Sequence, residues 1–88
     1  MVSVKTETGF ECEIEEDRLD DWEVLDQISG MEDGDLLQAP RLLKKLLSKE
    51  DVRKLMDLHR EESGRVPTEA IMAELMDIFK QVKEAKNS

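Results

Sequence analysis

The spacing of apolar residues changes once along the chain, between Ile14 and Leu19, and that change admits a short β element followed by helices. Val2, Val4 and Thr6 alternate with Ser3 and Lys5, and Phe10, Cys12 and Ile14 alternate with Glu11 and Glu13. A period of two on both sides of Glu7-Thr8-Gly9 predicts a β-hairpin over 1–14, with Gly9 supplying the positive φ of the turn. Val2, Val4, Phe10, Cys12 and Ile14 share one face. A two-stranded hairpin is marginal in water, so this face has to lie against helices. Cys12 then reads as a small core residue.

From Asp17 the spacing is helical. Leu19, Trp22, Leu25 and Ile28 form one stripe, which predicts a helix over 17–29 with Trp22 as a core anchor and Gly30 as the stop. Acids in its first turn suit the positive end of the helix dipole. Glu32-Asp33-Gly34-Asp35 is turn chemistry. Pro40 fits a helix start, and Leu42, Leu43, Leu46 and Leu47 predict a helix over 40–47. Ser48, with Asp51 three residues on, caps a further helix over 49–63. It buries Val52, Leu55 and Met56 and brings His59 to the same side, with Gly64 as its left-handed end. The last helix, 68–86, opens at Pro67-Thr68 and carries Ile71, Met72, Leu75, Ile78, Phe79 and Val82 on one stripe that Met76 widens. Glu69, Glu74, Asp77, Lys80 and Lys83 take the remaining surface. The expected fold class is mainly α: a small α+β domain, an N-terminal β-hairpin packed on about four helices.

At 88 residues the chain is one small domain without room for a deep catalytic cleft. Its charge is uneven. Residues 1–40 hold 13 acidic and 2 basic side chains, whereas residues 41–88 hold 9 and 11, within a total of −9. Glu15, Glu16, Asp17, Asp20 and Asp21 head an acidic face that repels nucleic acid. Phe10, Trp22 and Phe79 are too few for a base-stacking platform. The acidic front has two readings: a solvated, solubilising surface, or one that meets the Arg41-to-Arg65 stretch of another copy. No apolar run reaches a membrane span and the N-terminal residues lack a signal-peptide pattern, so a soluble cytoplasmic protein with no membrane partner is expected.

Catalysis has little to work with. His59 is the only histidine and Cys12 the only cysteine. A thiol placed between Glu11 and Glu13 is a weakened nucleophile, because nearby carboxylates disfavour the thiolate. Zinc lacks soft ligands, the acidic run lacks the spacing of a calcium loop, and no Gly-rich phosphate loop or carrier-protein Asp-Ser-Leu triplet occurs. The expectation is a non-enzymatic protein with no catalytic residues, metal or cofactor. What remains is binding. Methionines are flexible and polarizable, so they serve equally as core filler or as an adaptable partner surface. The second reading assigns Met72, Met76, Phe79 and Val82 to a partner helix.

Four segments carry a family resemblance: Gly9-Phe10-Glu11-Cys12-Glu13-Ile14, Asp20-Asp21-Trp22-Glu23, Leu46-Leu47-Ser48-Lys49-Glu50, and Gly64-Arg65-Val66-Pro67-Thr68-Glu69-Ala70 ahead of Ile78-Phe79. In this order they resemble the tail assembly chaperones of long-tailed phages and prophages of Gram-positive bacteria, over nearly the whole chain. Met31 to Ala39 matches least. The resemblance implies a helical protein with a small β element that binds the tape measure protein and keeps it soluble for tail-tube polymerisation. It further implies action in multiple copies or as a homo-oligomer, in the host bacterial cytoplasm, and absence from the mature virion. A longer form made by −1 ribosomal frameshifting would recruit the major tail protein. Ala85-Lys86-Asn87 is compatible with the slippery codons GCA-AAA-AAC. Two other classes remain open at this level: an acidic phage-encoded inhibitor or DNA mimic that binds a host nucleic-acid-binding protein, and a small helical adaptor.

Overall fold

The computed structural model describes residues 1–87. Strands β1 (Val2–Lys5) and β2 (Glu11–Ile14) pair antiparallel, with Val4 opposite Cys12 and Lys5 opposite Glu11. Gly9 turns the hairpin at φ 94°. Five α-helices follow among the described residues: α1 (Glu16–Leu19), α2 (Trp22–Glu32), α3 (Ala39–Leu46), α4 (Lys49–His59) and α5 (Thr68–Asn87). A 3-10 turn, Leu36–Gln38, leads into α3. This is the small α+β arrangement that the change of period predicts. Val4, Phe10, Cys12 and Ile14 close over Leu42, Leu46, Leu55, Leu75 and Ile78, and all are buried.

The predicted 17–29 helix is two helices. The Asp20-Asp21 pair interrupts it: Asp20 leaves helical geometry at ψ 59°, and the Asp21 carboxylate accepts the Glu23 N–H at 2.8 Å as a new N-cap. Restarting at Trp22 resets the phase, so Val24, Ile28 and Met31 turn inward. Trp22 is therefore no core anchor. It is 80% exposed, and Leu25 is 57% exposed. Gly30 does not stop α2 either. The helix runs to Glu32, and Gly34 at φ 99° ends it, with the Asp35 N–H bonding back to Gly30 O at 2.9 Å.

Two other boundaries also move. α3 starts one residue before Pro40 and leaves Leu47 as a buried C-cap. Ser48 Oγ accepts the Asp51 N–H at 3.1 Å, the expected cap, but α4 ends at His59 rather than at residue 63. Gly64, at φ 92°, turns a separate loop in which Gly64 N–H donates to Glu61 O.

Candidate partner-binding groove

One long helix, α5, places the candidate residues, and the polar side of that helix fixes its position. The register leaves the backbone of Lys5 on the outer edge of β1, where an unpaired N–H and C=O need partners. Gln81 supplies both: the Lys5 N–H donates to Oε1 at 3.1 Å and Nε2 donates to Lys5 O at 2.6 Å. Asp77 accepts the Glu7 N–H at 2.9 Å and a Gln81 amide hydrogen at 2.9 Å. Those two bonds, Gln81 first, hold the Asp77 carboxyl below its ordinary range.

Glu74 completes this side. The sequence pattern puts it in solvent, yet it is 3% exposed. Thr8 donates to Oε1 at 2.5 Å, and Thr6 Oγ1 lies 3.1 Å from Oε2. His59 Nε2, from α4, stands 3.5 Å from Oε1, off the line of a hydrogen bond. Glu74, Asp77 and Gln81 fall at i, i+3 and i+7, one stripe of the helix. The readable signal was Thr6, a hydroxyl just past β1 and in phase with its inward face, which needs a buried partner.

On its other side α5 is open. It packs against β1 and α4, and α2 packs against α3. A groove of about 680 Å³ separates α2 from α5. Met72, Met76, Phe79 and Val82 form its α5 wall, so the structure brings together all four residues singled out for partner binding. Leu25, Ile28 and Met31 form the opposite wall, over a floor that includes buried Leu46. Met76 is 58% exposed. Such a channel suits an apolar helix, which buries its own stripe between two helical walls. An ion pair between Glu23 and Lys45, 2.6 Å apart, ties α2 to α3, and the hydrogen bond to Glu23 raises the Lys45 pKa.

The five acidic candidates sit together on and around the one-turn helix α1, all exposed. Two of them have local roles: Asp21 caps α2, and Glu16 lies 3.6 Å from the terminal ammonium of Met1. Cys12 is buried in the hairpin face. Burial pushes its thiol up to about 11, and the Asp51 and Glu74 carboxylates add to that, so the neighbours responsible are not Glu11 and Glu13. A neutral thiol is a poor nucleophile. Among the described residues no group of three or more His, Cys, Asp or Glu is placed to hold a metal ion. No helix among them is long and apolar enough to cross a membrane. Comparison with protein-family models, with curated proteins and with solved structures finds no match.

Proposed function

We propose that this chain is a phage or prophage tail assembly chaperone, the short product of its gene. In this reading it binds apolar helical stretches of the tape measure protein and keeps them soluble until the tail tube polymerises. The observation that carries it is the open channel whose α5 wall is Met72, Met76, Phe79 and Val82. A greasy, elongated client needs many reversible apolar contacts, and charge on the coat to keep coated clients apart; the net charge of −9 supplies the second. Action in multiple copies, in the host cytoplasm and without incorporation into the virion, belongs to the same proposal. So does recruitment of the major tail protein by a frameshifted longer form; AAG at the Lys86 codon would remove the candidate slippery heptamer.

Coexpression with the long helical protein encoded downstream tests the reading. The native chain should hold that client in the supernatant, and Met76→Glu should lose it while helical circular dichroism is unchanged. Unchanged co-purification of the variant rejects this surface. Salt-sensitive retention of a host DNA-binding enzyme, with no effect on the client, would favour the inhibitor class instead.

A further inference from the structure

The stretch with least family likeness, Met31 to Ala39, contains the most exposed leucine of the molecule. Leu37 is 84% exposed and Leu36 is 54% exposed. They are not on a loose loop. The Asp35 carboxylate accepts the Leu37 N–H at 3.2 Å and an amide hydrogen of Gln38 at 3.0 Å. Gln38 in turn lies so close to Gly30 that an added Cβ there would sit 3.3 Å from its Cγ. The turn is pinned with its leucines outward.

Those leucines edge a second apolar hollow of about 480 Å³, bounded by Pro40, Leu43, Met56 and Ile71. Met72 lines both this hollow and the α2–α5 groove. Thr68, Met72, Met76, Phe79 and Lys83 follow one helical stripe of α5, so the two hollows lie end to end along it. From Thr68 to Lys83 the track is about 22 Å at 1.5 Å per residue, the length of a helix of about 15 residues.

Charge selects the occupant. Glu32 lines the α2 wall of the groove, and Asp33 and Asp35 follow it on the turn, all exposed; no Lys or Arg lies between Leu19 and Pro40, and Lys44 of α3 stands at the second hollow. On α5, Lys83 lines the groove and exposed Lys80 lies one turn before it, with exposed Glu69 at the far end beside Thr68. A second copy laying its own α2 in the track would set acids against acids, which is unfavourable.

Resting on the client-binding reading above, we infer that Leu36 and Leu37 extend the docking surface into one track that takes a partner helix of about four turns. That helix has an apolar stripe, Lys or Arg along the flank facing α2, and acidic residues along the flank facing α5.

Calorimetric titration with synthetic, side-chain-bridged helical peptides tests this. One peptide has about 15 residues with a Leu stripe, a Lys flank and a Glu flank; a second has about 11 residues and the same pattern; a third has two Glu flanks. Leu37→Ser, at a position almost wholly in water, should weaken the long peptide about tenfold, as expected for one leucine contact. It should leave the short peptide unchanged. Met76→Glu should weaken both, and the peptide with two Glu flanks should bind least. If Leu37→Ser binds both peptides like the native chain while Met76→Glu does not, the extension is wrong and the α2–α5 groove stands. If Met76→Glu changes nothing, both readings fall. If Leu37→Ser instead dissolves a dimer seen by sedimentation and leaves peptide binding intact, the leucines belong to a second copy and the inference is overturned.

Discussion

Glu74 and Met76 stand two positions apart on α5, yet the carboxylate is 3% exposed and the thioether side chain 58%. The usual preference of the two residue types is inverted. The hairpin side of α5 is polar and closed, because unpaired strand-edge backbone and two threonine hydroxyls demand partners there. The groove side is apolar and open, because α2 is held against α3 instead. The two sides thus divide the work. One fixes the helix, and the other leaves an apolar surface of the kind that marks an interaction site.

The largest expected effect attacks the closed side. Glu74→Ala removes the carboxylate that accepts from Thr8 and buried Thr6, leaving them their bond to each other, and should lower stability by about 1–3 kcal/mol in urea unfolding, with Glu74→Gln losing less than half of that. A native-like midpoint for Glu74→Ala would mean that the carboxylate does not anchor α5. Next, Gln81→Ala should cost about 1 kcal/mol and speed hydrogen exchange at the Lys5 amide, which loses its Gln81 acceptor. On the open side, Met76→Glu should change stability by no more than about 0.5 kcal/mol. A large loss there would show that Met76 is core after all, and would erase the contrast.

Cys12 sharpens the comparison from inside the hairpin. The fold raises its thiol from 9.0 to about 11, so the folded state prefers the neutral form. That contribution is complete below pH 9 and disappears as pH climbs through 11. Subtracting the pH–stability curve of Cys12→Ala should isolate the decline, and disulfide-reagent labelling of the native chain at pH 8 should be slow. The smallest effect is expected at Trp22, where Trp22→Ala should leave the unfolding midpoint within error and native fluorescence should resemble tryptophan in water. A blue-shifted native spectrum would put Trp22 back in an apolar environment.

Much of this was legible in the residues. The alternation around Gly9 located both strands, Ser48 located the start of α4, and the stripe from Ile71 to Val82 located α5 and its four candidate residues. The misreadings share a cause. Leu19, Trp22, Leu25 and Ile28 look like one stripe only if the helix is continuous, and Asp21 can cap a new helix as readily as it can sit in the first turn of an old one. Glu74 looked solvated because a lone carboxylate in a helix normally is. Its burial depends on Thr6 and Thr8, 68 and 66 positions away.

Local periodicity therefore determined which residues form strands and helices, because the steric and hydrogen-bonding rules behind it act over a few residues. Whether a given side of α5 would be closed or open was settled only in three dimensions. It depends on which distant backbone groups and side chains arrive at that side, and on α2 settling against α3 rather than across the groove.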